Sequence, residues 1–229
     1  MPTYSSFAAI ILAAGSSSRM GAGRHKLLLP LGKKPVLAHV IEAALASQAR
    51  PIMIVLGHQA EHVRNEVAAF TTLPNVISIE NPDYLQGMST SLRAGLQALI
   101  HSQNTAEQAF HSLDGVIVML GDQPLMTAHT IDSLIAHKQA TGKRIIAPLY
   151  NGRRGNPVLF DASLFPELLA IQGDEGGRSV IERHKQEVAT IEQSDAMPDY
   201  DVDTWDAYQT VLAEWKKKQQ PGEHEHGEK

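Results

Sequence analysis

Short apolar runs alternate with longer amphipathic stretches over most of the chain. The short runs are continuous and end in glycine, proline or polar residues, a pattern that is typical of strands covered on both faces. The expected strands span residues 7–14, 51–56, 76–79, 116–120, 145–148, 157–160 and 188–191. Between them, apolar residues recur at helical spacing, as at Leu92, Leu96 and Leu99.

The amphipathic stretches predict helices between these strands. They span residues 35–45, 58–70, 89–100, 127–134, 164–171, 178–184 and 205–218. Pro35 stands at a helix start, where its fixed φ is tolerated, and Thr127 or His129 is expected to cap a later helix. This alternation predicts an α/β fold with a mostly parallel, mixed sheet that is flanked by helices on both sides.

The length of 229 residues is that of one α/β domain, which is expected to span residues 1–218. The regular alternation occupies roughly residues 7–149. Beyond it, glycine-rich turns separate shorter elements, so residues 150–218 are expected to cover the rim of the sheet. Residues 219–229 are polar and lack apolar anchors, and this tail is expected to be disordered.

Composition narrows the function classes. The chain has a formal net charge of −5 and no cysteine. A nucleic-acid-coating surface, disulfides, thiolate metal sites and cysteine nucleophiles are therefore not expected. The N-terminus lacks a cationic segment before its first apolar run, which is too short to span a bilayer. The inference is a cytoplasmic protein without nucleic-acid or membrane partners.

A small-residue loop follows the first expected strand. It contains Gly15 and three serines, and it is followed by two cations, Arg19 and Lys26. Such a loop can turn its backbone N–H groups around a polyphosphate, and the cations would bind the same oxygens. Neither the P-loop pattern nor a complete G-x-G-x-x-G fingerprint is present. The alternative is a flexible surface turn with two solvated cations.

Two carboxylate positions suggest a divalent metal. Asp122 directly follows a buried strand, at the rim that also carries the Gly15 loop and the Asn81 turn. A carboxylate together with phosphate oxygens is the usual ligand set of magnesium. Asp201 and Asp203 alternate, so in an extended segment they point the same way and either could supply a second ligand. The alternative is that these carboxylates cap a turn or a helix.

The segment from Gly87 begins a helix with small hydroxyl residues. Its N-terminus suits an anion, or a base edge that contacts Ser91, although an ordinary capped helix is the alternative. The histidines show no tight metal-ligand spacing; His58 and His62 lie one helical turn apart without an evident third ligand. They are therefore interpreted as surface or core residues. G-x-S-x-G is absent, which argues against a hydrolase nucleophile.

Several motifs together resemble the molybdenum cofactor nucleotidylyltransferases, above all their cytidylyltransferase branch. The motifs are Leu12-Ala13-Ala14-Gly15, Arg19-Met20-Gly21, Lys26-Leu27-Leu28, Gly32, Pro35-Val36-Leu37, Gly87-Met88-Ser89, Ser91-Leu92, Gly95-Leu96 and Gly121-Asp122-Gln123-Pro124. Gly155-Asn156-Pro157-Val158 and Gly173-Asp174 with Gly177-Arg178 resemble that branch's second-half motifs. The resemblance runs from about Ala8 to Tyr208, and the order and spacing of the motifs make it specific.

The resemblance implies a nucleotide-binding α/β fold that transfers CMP from CTP to the terminal phosphate of molybdopterin. Pyrophosphate would be released and molybdopterin cytosine dinucleotide formed. Residues 7–149 would be the nucleotide-binding half and residues 150–218 the acceptor-binding half. Magnesium, or alternatively manganese, would be the cofactor. A molybdoenzyme client or its chaperone would be a further partner.

The resemblance also implies roles for individual residues. The catalytic residues would be Arg19, Lys26 and Asp122, and the metal ligands Asp122 and Asp203. The nucleotide would contact Leu12, Ala13, Ala14, Gly15, Arg19, Lys26, Gly87 and Ser91, and the acceptor Asn156 and Arg178. No general base is required, because an ionised phosphate is already a nucleophile. Aligning two polyanions and neutralising their charge is then the main catalytic task.

Alternatives remain open at this point. The guanylyl branch typically carries Leu-Ala-Gly-Gly where Ala14 stands here, and one methyl group discriminates between bases by only ~1–3 kcal/mol. GTP is therefore an alternative donor, and a sugar or polyol phosphate an alternative acceptor. A non-catalytic carrier of a nucleotide or cofactor is the alternative from another class. Arg19, Lys26 and Asp122 argue against it, because a carrier needs no metal at the α-phosphate.

Overall fold

The computed structural model describes residues 6–21, 23–103, 113–194 and 200–219. Within them the strands are β1 (Phe7–Ala13), β2 (Pro30–Leu31), β3 (Lys34–Pro35), β4 (Ile52–Leu56), β5 (Val76–Glu80), β6 (Gly115–Leu120), β7 (Ile145–Tyr150), β8 (Arg153–Arg154), β9 (Val158–Asp161) and β10 (Val188–Gln193). The helices are α1 (Val36–Ala46), α2 (Ala60–Glu66), α3 (Ala68–Thr71), α4 (Met88–Gln103), α5 (Ala128–Thr141), α6 (Phe165–Ala170), α7 (Arg178–Arg183) and α8 (Trp205–Gln219).

One mixed sheet runs through the described chain in the order β10-β7-β9-β6-β1-β4-β5, and β8 pairs with β7. Strand β1 lies between β6 and β4 and is parallel to both, with Ile11 opposite Met119 and Ile54. Strand β9 is antiparallel to its neighbours β6 and β7. The predicted α/β class with a mostly parallel, mixed sheet is confirmed.

The central strands β1, β4 and β6 are buried on both faces because their successive residues supply two separate cores. Ala9 and Ile11 of β1 pack with apolar residues of α1 and α5. Ala8 and Ile10 point the other way, into a core shared with α4, α6 and α7. Each large aliphatic side chain that is fully buried contributes about 1.5–3 kcal/mol. This two-sided burial explains why the strands read as continuous apolar runs.

A third apolar cluster joins the C-terminal helix to the β2–β3 hairpin. It includes Met20, Val202 and Tyr208, and the Tyr208 hydroxyl donates to the carbonyl oxygen of Pro30 at 2.6 Å. Gly32 has φ +66°, and a Cβ there would lie 2.4 Å from the Trp215 ring. This packing fixes the segment before α8 beside the loop that follows β1.

Some elements differ from the sequence prediction. The helix expected over residues 58–70 divides into α2 and α3, because buried Val67 between them takes a non-helical φ of −112°. The glycine-rich turn at Asn151 and Gly152, both with positive φ, joins β7 to the two-residue β8. The expected second strand, β9, comes only after this hairpin and pairs with Ile145 and Ile146 of β7, on the same edge that pairs with β8, since β10 pairs along the opposite edge.

Residues 220–229 of the expected tail lie outside the described residues, whereas Gln219, expected to begin that tail, is the last residue of α8. Thr127, rather than His129, caps α5: its hydroxyl accepts a hydrogen bond from the Thr130 N–H at 3.2 Å. Among the described residues, none of the helices has the length and apolarity needed to cross a bilayer.

Candidate active site

An open cavity of about 730 Å³ lies at the rim where β1 and β6 end. Every site residue expected from the sequence lines it: Leu12, Ala13, Ala14, Gly15, Arg19, Lys26, Gly87, Ser91, Asp122, Asn156, Arg178 and Asp203. We call this cavity the cleft. Residues distant in the chain converge there because ligand-binding loops of parallel sheets follow the carboxyl ends of the strands.

The loop after β1 is held in a defined conformation. Ser17 has a left-handed φ of 56°, and its hydroxyl accepts a hydrogen bond from the Lys26 N–H at 3.1 Å. This bond closes the loop into a ring. A Cβ placed on Gly15 would have no atom within 4 Å, and Gly15 is not among the residues with positive φ. Neither backbone strain nor packing requires glycine there, so its effect is to leave the loop backbone open to the cleft.

Lys26 is the electrostatic centre of the cleft. Its Nζ contacts Asp122 Oδ2 and lies 2.7 Å from Asp203 Oδ1, although the lysine side chain is only 15% exposed. Arg19, which is largely exposed, contacts the other oxygen of Asp203 at 2.9 Å. Burial acts to lower the pKa of Lys26, but the two carboxylates more than offset it and the pKa is raised. The lysine is therefore a cation at neutral pH.

The pKa of Asp203 is shifted in the opposite direction from that of Lys26. Burial acts to raise its pKa, but Lys26 and then Arg19 outweigh this effect and the pKa is lowered. Thr204, rather than Asp203, caps α8, since its hydroxyl accepts from the Ala207 N–H at 3.2 Å. Asp201 instead accepts from the Gln123 side chain at 2.6 Å. Of the two alternating carboxylates, Asp203 is the one that shares a cation with Asp122.

Asp122 and Asp203 fit a divalent ion. Oxygens of both carboxylates touch the same ammonium group, so both can reach one small cation. Among the described residues, no three His, Cys, Asp or Glu side chains form a metal-binding group. A divalent ion held here would complete its shell with substrate phosphates and water, which is the arrangement that magnesium prefers.

The N-terminus of α4 is already occupied. Asp174 Oδ1 accepts from the Met88 N–H at 3.0 Å, and the carbonyl of Gly173 accepts from the Ser89 N–H at 3.1 Å. A Cβ on Gly87 would lie 2.5 Å from that carbonyl, so the close approach requires glycine. These contacts correspond to the capped helix that the sequence offered as the alternative, with a carboxylate of this chain as the anion at the helix end.

The sequence places the Asn81 turn at this rim but does not predict its contact with Ser91. The side-chain amide of buried Asn81 donates to the Ser91 hydroxyl at 3.0 Å and to Thr90 at 2.8 Å. Asn81 sits where β5 ends, and its position after a strand was a usable signal. The amide thus holds the Ser91 side chain in place at the lining of the cleft.

A second cavity of about 290 Å³ adjoins the cleft. Its lining includes Val118, Val158 and Phe160, and we call it the side pocket. Asn156 and Arg178 line both cavities, so they stand where the two meet. The side pocket thus presents an apolar surface with polar groups at its mouth, a common arrangement in small-molecule sites.

The histidines near the loop are structural, as expected. The rings of His25 and His58 stack with centroids 5.7 Å apart, and His25 Nε2 lies 3.2 Å from the His58 carbonyl oxygen. Burial lowers the pKa of His25. The His58 N–H in turn donates to the Ala14 carbonyl at 3.1 Å. This stack braces the loop after β1 against the turn after β4.

Fold and cleft together define a protein of the nucleotidyltransferase class. Residues 9–188 match the family described as the MobA-like NTP transferase domain, and the chain belongs to that family. A related sequence is the nicotine blue oxidoreductase of Paenarthrobacter nicotinovorans, 30% identical over 204 residues that cover 85% of this chain and 91% of the relative.

Solved structures agree with this placement. The Mycobacterium tuberculosis Rv0371c homologue from Mycobacterium sp. strain JC1 is 30% identical, with a TM-score of 0.74 over 93% of this chain and 98% of that one. Rv0371c of M. tuberculosis H37Rv in complex with manganese is 27% identical, with a TM-score of 0.67 over 92% of this chain and 100% of that one.

Proposed function

We propose that the protein transfers CMP from CTP to the terminal phosphate of molybdopterin, releasing pyrophosphate and forming molybdopterin cytosine dinucleotide. The observation that carries the proposal is the charge set of the cleft. Lys26 and Arg19 stand beside the Asp122 and Asp203 carboxylates, next to a loop whose Gly15 leaves its backbone open. Cations for a triphosphate and carboxylates for its metal are what nucleotidyl transfer requires.

The chemistry needs no general base from the protein. An oxygen of the acceptor phosphate attacks the α-phosphorus of CTP, the bond from that phosphorus to the bridging oxygen breaks, and pyrophosphate leaves with the electron pair. Lys26 and Arg19 bind the triphosphate and neutralise charge as it moves to the leaving group. Magnesium or manganese bound by Asp122 and Asp203 would supply further neutralisation of the phosphates.

The nucleotide base is assigned to the wall formed by residues 12–15 and Ser91. Ala14 supports cytosine over guanine in this assignment. The guanylyl branch typically carries glycine at this position, and one methyl group in a base pocket is worth ~1–3 kcal/mol of discrimination.

The acceptor is assigned to the junction of the cleft and the side pocket. Arg178 is suited to a phosphate, and Asn156 can donate and accept hydrogen bonds at the edge of a polar heterocycle. Val158 and Phe160 offer an apolar surface to a flat ring system. These properties together support a pterin with a phosphate arm. A client molybdoenzyme or its chaperone would receive the product.

The decisive experiment measures pyrophosphate release with each of the four NTPs and purified molybdopterin, with and without EDTA. CTP is expected to give the highest rate, and EDTA to abolish it. A higher rate with GTP would contradict the assignment of the base, and a higher rate with a sugar phosphate would contradict that of the acceptor. Binding without turnover would indicate a carrier. Oxidation or reduction of nicotine blue would point instead to the activity named for the Paenarthrobacter relative.

A further inference from the structure

The charged groups of the cleft neutralise one another. Lys26 bridges Asp122 and Asp203, and Arg19 contacts Asp203. Two cations assigned to the triphosphate are thus engaged by two carboxylates assigned to the metal. A ligand of either kind has to break these pairs before it can bind.

We propose that Lys26 holds the position of the divalent cation between the two carboxylates, and that metal and triphosphate consequently bind as a pair. The proposal rests on the proposed function, because it takes Asp122 and Asp203 as the metal ligands. Its geometric basis is that one ammonium group contacts an oxygen of each carboxylate. A metal ion that uses those oxygens must displace it.

Either ligand alone meets an electrostatic penalty. A metal ion by itself would leave the displaced Lys26, whose side chain is only 15% exposed, without an anion and beside a dication. A triphosphate by itself would draw Lys26 and Arg19 away and leave Asp122, which is buried, facing a polyanion. When both ligands bind, the carboxylates pass to the metal and the cations to the phosphates, and every charge is compensated.

The inference is tested with ligands that lack both a base and an acceptor. Mn²⁺ alone is titrated into wild-type protein and Lys26→Met, and free Mn²⁺ is followed by its EPR signal. Lys26→Met is expected to bind Mn²⁺ at least about fivefold more tightly than wild type, the lower end of the range of about 5- to 150-fold for coupled sites. Magnesium tripolyphosphate, measured by calorimetry, is expected to bind Lys26→Met more weakly. A merely damaged site would lose affinity for both ligands.

Lys138→Met is the matched control. Lys138 is similarly buried, with 12% of its side chain exposed, and it lies 2.5 Å from Asp161 Oδ2. Neither residue lines the cleft. This variant is expected to bind both ligands as wild type does. An Mn²⁺ affinity of Lys26→Met no higher than that of wild type and Lys138→Met would overturn the proposal.

A second measurement, of tripolyphosphate binding with and without Mg²⁺, uses wild-type protein alone. Tripolyphosphate in EDTA is expected to bind at least about fivefold more weakly than in excess Mg²⁺, by the same coupling. Equal affinities would overturn the proposal even if Lys26→Met did not fold. A different result would contradict the proposed function. If CTP gave no pyrophosphate release, that function would be wrong, but the coupled binding of metal and triphosphate would be unaffected.

Discussion

At the scale of single residues, Asp122 has two separable roles. Its backbone carbonyl accepts from the Val202 N–H at 2.9 Å and so holds the C-terminal segment in place. Its side chain contacts Lys26 inside the cleft. A substitution that changes only the carboxylate therefore leaves the structural contact intact and tests the chemistry alone.

Asp122→Asn is expected to lower the rate of pyrophosphate release by about 100-fold or more, the scale seen when a single electrostatic contact to the transition state is lost. The variant should remain folded, as checked by circular dichroism. Asp161→Asn is the control, since Asp161 also pairs with a buried lysine but lies outside the cleft lining. Unchanged release from Asp122→Asn would defeat the proposed mechanism.

Two glycine substitutions separate ligand contact from packing. Gly15→Ala is expected to leave thermal stability unchanged, because its Cβ would meet no atom, but to weaken CTP binding.

Gly95→Ala is expected to lower the free energy of unfolding by ~1–3 kcal/mol through overpacking. Its Cβ would lie 2.7 Å from Ile10 Cγ2 and 2.9 Å from Val55 Cγ2. Chemical denaturation and calorimetry with CTP measure the two effects. Full CTP affinity in Gly15→Ala would argue against a role for this loop in phosphate binding.

Much of the residue set could be predicted from the sequence, because each candidate follows an apolar strand or stands in a recognisable motif. What could not be predicted is their pairing. Lys26 and Asp203 are 177 positions apart, and their contact depends on how α8 packs against the β2–β3 hairpin. The alternation of Asp201 and Asp203 along the sequence also did not show which of them is the candidate metal ligand. The structure distinguishes them, because the Gln123 side chain donates a hydrogen bond to Asp201.

At the scale of elements, the contact between α4 and the loop before α7 joins the two halves of the site. Asp174 caps α4, whose first turn carries Ser91, assigned above to the nucleotide. The same loop leads directly into Arg178, assigned above to the acceptor. A capping bond of this kind contributes about 0.5–2 kcal/mol. We therefore treat Asp174 as a positioning residue for Arg178.

Asp174→Ala is expected to raise KM for the acceptor and to lower the melting temperature, because the loop loses its anchor on α4. Asp174→Asn keeps a side-chain oxygen that can accept from the Met88 N–H. Its KM for the acceptor and its melting temperature should therefore be close to those of wild type. Steady-state kinetics with either substrate varied, together with thermal unfolding, give the readouts. Equal acceptor KM in wild type and Asp174→Ala would show that the cap has no part in positioning Arg178.

Element boundaries were predicted well where local pattern decides them and poorly where pairing decides them. Strands β1, β4 and β6 are unbroken apolar runs, and these three and β5 occur close to where expected. The antiparallel insertion of β9 between β6 and β7 depends on long-range contacts that no local periodicity encodes. The break at Val67 is a change of backbone conformation that the amphipathic pattern of residues 58–70 does not signal.

At the scale of the whole molecule, the two sequence halves share one sheet. Strand β9 of the second half lies between β6 and β7 and ends beside α5, where Asp161 pairs with Lys138. Glu167 similarly joins α6 to α7 through His184 at 2.6 Å. The cleft draws Asn156 from the segment before β9 and Arg178 from the start of α7, so residues of both sequence halves line it.

These carboxylates predict how stability depends on pH. Burial acts to raise the pKa of Asp161, but Lys138 and Ser163 outweigh it and the pKa is lowered. The hydrogen bond with His184 lowers the pKa of Glu167. A carboxyl group whose pKa is lowered by folding stabilises the protein above its unfolded pKa, and that stability is lost as the pH falls through the folded pKa. Stability is thus expected to decline below about pH 4, near the ordinary pKa of these groups.

Urea unfolding of wild type and Asp161→Asn from pH 3 to pH 7 tests this prediction. Asparagine cannot ionise, so the variant lacks the charged contact with Lys138 at every pH. Wild type keeps this contact at neutral pH and loses it in acid. The difference in free energy of unfolding between the two proteins should therefore be largest near pH 7 and shrink as Asp161 becomes protonated. A difference that stays constant over this range would mean that the contact owes its effect to packing and not to charge.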